Sequence, residues 1–187
     1  MTQAANLPGG GRGQILPLNA EKAVVDQAVI TIRQAENRDV QALMHLYAQL
    51  IPDVKPTEED VSSALQRISA DPDRSIIVVG ELDEKVIATC QLIVYDNLIR
   101  SPQRKAVVDS VVVDEPHRNH RIGTAIIKWS LEELKRRGCA IIYVSTASVR
   151  DVAPKLYKSS GFETFGTAFF VNCADEAAIP EWGEEAY

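Results

Sequence analysis

The chain has 187 residues, 45% of them hydrophobic and 25% charged, with a formal net charge of -6, which suits one substantial core and argues against a nucleic-acid partner, since such proteins carry a basic face. Its three cysteines, Cys90, Cys139 and Cys173, are odd in number, far apart and form no C-x-x-C pair, so reduced thiols are expected and neither a disulfide framework nor a zinc site is indicated. Residues 1–27 lack the features of a signal peptide, and no apolar run is long enough to span a bilayer, so a cytoplasmic protein with no membrane partner is expected.

Residues 1–27 contain Pro8-Gly9-Gly10-Gly11-Arg12-Gly13 and little periodic hydrophobicity, which reads as a flexible arm. A phosphate-loop reading of these glycines fails because no strand precedes them and no capped helix follows. The domain proper is expected over 28–172. It opens with a strand at 28–33, and Asn37 is placed to cap a helix carrying Val40, Leu43, Met44, Tyr47 and Ile51 at helical spacing. Pro52 stops that helix. Thr57 caps a second helix, with Val61, Ala64, Leu65 and Ile68 on one face and Asp71-Pro72 at its end.

Strands at 75–80 and 86–95 form a hairpin, and 106–114 is the next strand. Ile122, Ala125, Ile126, Trp129 and Leu134 then mark an amphipathic helix that Gly138 terminates. A buried strand at 140–145 follows, and so short a strand–helix–strand path implies a right-handed crossover between parallel strands. A helix at 151–160 ends at Gly161, and 167–172 gives a last strand. The tail, 173–187, is acidic and reads as a solvated extension. Its rings Trp182 and Tyr187 give it a means of docking on the domain or on a second subunit, leaving a homodimer open.

The most informative stretch is AVVDSVVVDEPHRNHRIGTA, residues 106–125. A strand that feeds a basic loop and then a helix N-terminus makes an anion site, because unpaired backbone N–H groups and the positive end of the helix dipole face one point. The donors would come from Arg121 to Ala125, with Gly123 allowing close backbone approach and Arg118 adding a fixed positive charge. The alternative is an ordinary basic loop before a well-capped helix.

The element order, together with three local motifs, resembles the GNAT superfamily of acetyl-CoA-dependent N-acetyltransferases. Arg118-Asn119-His120-Arg121-Ile122-Gly123-Thr124-Ala125 is similar to the family's pyrophosphate loop, Q/R-x-x-G-x-G/A. Asp109-Ser110-Val111-Val112-Val113 is similar to the acidic strand before it. Ala153 to Phe162 is similar to the A-x-x-x-Y-x-x-x-G-F segment. The resemblance covers about residues 30–171 and implies an α/β (α+β) fold: a mixed, mostly antiparallel sheet flanked by helices, with one parallel strand pair around the cofactor site. Two positions depart from the family pattern. Arg121 stands at the first glycine of the loop motif, and Arg150 stands where relatives often have an asparagine.

The resemblance implies acetyl-CoA as acetyl donor, its diphosphate on the loop and its pantetheine arm pairing with the backbone of Val111, Val112 and Val113, where an N–H stabilises the oxyanion. Tyr157 matches the family's acid, which protonates the departing thiolate; a core aromatic is the alternative. Asp109 interrupts an apolar strand, and a carboxylate there is costly to bury unless paired, hydrated or functional, which makes it the candidate base for the amine, acting through a water. An exposed or merely structural Asp109 is the alternative. His117 and His120 have no acid–histidine cluster around them, so no metal is expected. The loop 97–105 is basic and would attract an anionic amine, or is simply solvated. The expected activity is transfer of an acetyl group from acetyl-CoA to a primary amine of a small molecule in a ternary complex. The alternatives are a protein or peptide amine as acceptor, or an acyl-CoA-binding module without turnover.

Overall fold

The computed structural model describes residues 20–26, 28–52, 55–99, 103–146 and 152–167. All but the first residue of the expected strand at 167–172, the acidic tail, Arg150 and most of the N-terminal arm lie outside these residues. Six strands form one sheet in the order β1-β2-β3-β4-β5-β6: β1 Glu21–Val25, β2 Ala28–Gln34, β3 Ser75–Leu82, β4 Lys85–Asn97, β5 Gln103–Val113 and β6 Cys139–Val144. Every neighbouring pair is antiparallel except β5 and β6, which are parallel as the short crossover requires. The helices are α1 Val40–Leu50, α2 Glu58–Ser69, α3 Ile122–Arg136 and α4 Val152–Ser159.

The alternation of the strands divides the core into two layers. Ile76, Val78, Leu92 and Val108 turn to one face, where Ile126, Ile127 and Leu134 of α3 cover them. Ile77 and Val79 turn to the other, beneath Val40 and Leu43 of α1 and Leu65 of α2. On that second face Arg33 lies 8% exposed, bidentate to Asp39 at 2.7 and 2.9 Å and 2.6 Å from Glu81. This buried cluster ties β2, the entry to α1 and β3 together.

Several expectations need correction. Residues 21–25, assigned to the flexible arm, form β1 and pair with β2 from Glu21↔Ile32 to Val25↔Ala28. Only Val25 of that strand is buried, so β1 carries too little hydrophobic signal to stand out beside a glycine-rich arm. Asn37 does not cap α1. It begins a single 3-10 turn capped by Glu36, with Asp39 closing a capping box, and α1 starts at Val40. Thr57 caps α2 as expected, its hydroxyl accepting from the Asp60 N–H at 3.1 Å. The β3–β4 hairpin turns on Asp83 and Glu84, both left-handed at φ 47° and 63°, as a two-residue turn matching strand twist requires. Strand β5 begins at Gln103, so Arg104 and Lys105 belong to the sheet rather than to a basic loop. Strand β6 is not buried. Only Cys139 is, because β6 is the outermost of the six strands.

Candidate active site

Strand β5 is irregular where the sequence places its acid. Thr89 pairs with Val112 but Gln91 pairs with Asp109, so β5 carries one residue more than β4 across this interval, with Ser110 in the left-handed region at φ 49°. A bulge of this kind re-aims the strand and interrupts the ladder. On its other side β5 loses its partner altogether: the β5–β6 pairing ends at Val108↔Val144, while β5 runs on to Val113. Among the described residues, 109–113 therefore present an open backbone edge. The Asp114 N–H bonds to Ile87 of β4, so by alternation the N–H groups of Val113 and Val111 point away from β4, toward that edge.

Beyond the strand, Asn119 and Arg121 are both left-handed, at φ 68° and 57°, and turn the chain into α3. Arg121 stands where the resembled motif has glycine, and its φ is one that glycine adopts freely and other residues adopt at a cost. Its side chain is exposed, so only the backbone bears the substitution. Arg121→Gly is accordingly expected to raise unfolding stability by up to about 1 kcal/mol, the left-handed penalty less glycine's extra chain entropy. A urea titration checks this, and a loss of stability would mean that the Arg121 side chain supports the fold.

The first intrahelical bond of α3 runs from the Ala125 N–H to the Arg121 carbonyl at 3.0 Å. Ala125 is thereby removed from the expected set of free donors. The amides of Ile122, Gly123 and Thr124 precede that bond and converge at the helix start with the dipole behind them. A Cβ built on Gly123 would lie 3.3 Å from Leu156 and 3.6 Å from Val113. Strand end, helix start and α4 thus meet at the one residue there without a side chain, and the glycine serves this packing.

Arg118 does not project freely. Its Nε donates to the Val113 carbonyl at 3.0 Å and its Nη2 to Gln49 Oε1 at 3.1 Å. Gln49 was not singled out in the sequence, yet it joins α1 to the whole loop: Oε1 also accepts from the Glu115 N–H at 3.0 Å, and Nε2 donates to Asp114 at 2.6 Å. The only sequence signal was a polar residue four positions after His45, which also reaches Asp114, at 3.2 Å. Burial opposes the charge on Asp114, but the hydrogen bonds from Gln49 and His45 prevail and hold its pKa below the ordinary carboxylate range.

Asp109 is exposed, which corrects the premise that this strand buries a carboxylate; its Oδ1 accepts the N–H of Ser110 at 2.8 Å. On the same face, burial pushes the Tyr47 phenol up to about 12, and the charge of Asp109 adds to the rise, so α1 delivers a ring close to the acid. Tyr157 is half-buried on α4, its ring edge-on to Phe162 at 5.9 Å, and it packs on the core layer that includes Val111 and Val113. His120 faces Asp26 at 3.8 Å, and His117 and His120 line a cavity of about 160 Å³ under the β1–β2 turn. Among the described residues no group of three His, Cys, Asp or Glu is arranged to hold a metal, and no helix is long and apolar enough to cross a membrane.

Comparison with known proteins identifies the family and the fold. A sequence model of the Acetyltransferase (GNAT) family matches residues 40–162. Human N-acetyltransferase 8B is 30% identical over 93 residues, which is 49% of this chain and 40% of that protein; the matched segment thus spans well under half of the curated relative. Two solved structures share the fold. Glucosamine-6-phosphate N-acetyltransferase from Arabidopsis thaliana superimposes with a TM-score of 0.69 at 20% identity, covering 78% of this chain and 99% of that one. A transcriptional regulator from Bacillus halodurans C-125 superimposes with a TM-score of 0.72 at 21% identity, covering 76% and 99%. A bulged acidic strand with an edge open among the described residues, a helix start whose first amides precede any intrahelical bond, and a family match running through all of them place this chain in the GNAT family of acetyl-transferring enzymes.

Proposed function

We propose that this protein moves an acetyl group from acetyl-CoA to a primary amine of a small molecule, by direct transfer in a ternary complex. The observation that carries the reading is the open edge of β5 ending at the free amides of α3. The donor is a long chain of amides with a diphosphate at its far end, and the two features suit those two parts in that order. Acetyl-CoA supplies the thioester, while the protein's own groups bind it, orient it and move the protons.

The N–H groups of Val111 and Val113 offer donors along the edge, and those of Ile122, Gly123 and Thr124 offer donors to the diphosphate. Arg118, held by Val113 and Gln49, contributes positive charge from a fixed place rather than as a mobile arm. Asp109, exposed beside the bulge, receives the proton of the incoming ammonium through a water. As the amine nitrogen bonds to the acetyl carbon and the carbon–sulfur bond breaks, the Tyr157 hydroxyl gives its proton to the sulfur, and the second proton shed by the nitrogen passes through solvent to restore the phenol. A phenol's ordinary pKa lies above that of a thiol, so this residue type carries a proton to give at neutral pH.

The test is thiol release from acetyl-CoA against a panel of small primary amines, amino acids and short peptides, with the melting temperature followed in parallel. Acceleration by small amines supports the reading. If no acceptor accelerates release while acetyl-CoA still raises the melting temperature, the protein binds the donor without turnover and the reading fails.

A further inference from the structure

Among the described residues, the second face of the sheet is not fully covered. Beyond Gln91 and Asp109, strand register sets two further rows across β4, β5 and β6: Ile93, Val107 and Tyr143, then Tyr95, Lys105 and Ile141. None of these six belongs to either core layer, and Tyr95 and Ile141 are 37% and 41% exposed. The result is an apolar platform with a carboxylate at one end and an ammonium at the other. Lys105 is half-buried, with Nζ 3.5 Å from the Tyr143 hydroxyl and 5.7 Å from its ring centroid, which sets the cation at the hydroxyl end of the ring. On the opposite face Asp96 lies 3.7 Å from Arg104. Among the described residues, no carboxylate forms an ion pair with Lys105.

Taking as given that Asp109 receives the acceptor amine, we infer that the acceptor is an elongated primary amine with a hydrocarbon body and an anionic far end. Lys105 lies four residue steps from Asp109 along one strand, so ammonium and anion should stand about 13 Å apart. The middle row, Ile93, Val107 and the Tyr143 ring, offers contact area but few hydrogen-bond partners. That favours a hydrocarbon over a peptide backbone, whose amides would lose water there without compensation. The anion meets Lys105, where it gains a charge-assisted hydrogen bond that no carboxylate among the described residues competes for.

The discriminating experiment compares kcat/KM for ω-aminoundecanoate, its methyl ester and γ-aminobutyrate, in the wild type and in variants at Lys105. In the wild type the long acid should exceed both its ester and the short acid by about tenfold, the worth of one hydrogen bond to a charged group. Lys105→Met should bring acid and ester together, Lys105→Arg should keep the preference, and Lys105→Glu should favour the ester. The reversal in Lys105→Glu cannot arise from poor folding. Equal rates with acid and ester in the wild type, or a preference that survives Lys105→Met, would overturn the inference while leaving acetyl transfer intact. Failure of every amine to release thiol would overturn acetyl transfer itself, and this inference with it.

Discussion

Replacing Tyr157 by Phe should lower kcat by about 10²- to 10⁴-fold, the usual contribution of a positioned acid, while leaving the dissociation constant of acetyl-CoA within about twofold, a shift of some 0.4 kcal/mol. The two readouts are expected to separate because of where the ring sits. Tyr157 packs through its ring, edge-on to Phe162 and against the layer that includes Val111 and Val113, and Phe keeps that ring. Only the hydroxyl is lost, and the free amides of the α3 start and the open edge of β5 belong to other residues. Measuring kcat with a good amine acceptor and the dissociation constant by calorimetry checks both halves. An unchanged kcat would remove Tyr157 from the chemistry and return it to the core as a packing aromatic. Parallel loss of kcat and affinity would instead point to damage at the junction of Leu156, Gly123 and Val113.

The second large effect is on stability. Asp39→Ala is expected to cost about 3 kcal/mol, the low end for breaking a buried ion pair. Arg33 and Asp39 are exposed by only 10% and 5% of their side-chain surface, so the substitution deprives a buried guanidinium of a bidentate partner. It also removes the acceptor of the Glu36 N–H at 2.7 Å, which closes the box before α1. Glu81 remains 2.6 Å from Arg33, which keeps the loss at the low end. Burial works against the charge on Asp39, but the hydrogen bond from Arg33 leads the opposing contributions, and the carboxyl is held below its ordinary value. A carboxyl lowered in the folded state adds stability that is complete above its unfolded pKa and is lost as pH falls through the folded one. Urea unfolding should therefore show the wild type losing stability below about pH 4, where the unfolded carboxyl begins to bind a proton, with Asp39→Ala losing less over that window. Equal slopes in the two proteins would mean that Asp39 is not the group responsible.

Much of this fold was legible because local chemistry and global pattern agree. The Thr57–Asp60 box, the Asp71-Pro72 stop after α2, the parallel β5–β6 crossover and Gly138 at the end of α3, left-handed at φ 77°, are each written in a few adjacent residues. The basic loop and the helix start it feeds were legible for the same reason. The illegible parts depend on contacts distant in sequence or on backbone that no residue type announces. Strand β1 has one buried residue and is defined by its partner β2. The bulge turns on Ser110, a residue with no special claim to positive φ, and its register is fixed by β4. Gln49 shows its role only when α1 lies beside residues 114–118, more than sixty positions later. Asp109 was found for a reason the structure does not sustain, burial, yet it stands where the sheet opens.

The central claim, that the diphosphate of acetyl-CoA rests on the start of α3, is tested most directly by backbone amide exchange with and without acetyl-CoA. Selective protection of Ile122, Gly123 and Thr124, accompanied by Val111 and Val113 along the open edge, is the predicted result. Saturating binding that leaves these five amides as exchangeable as before would contradict the account.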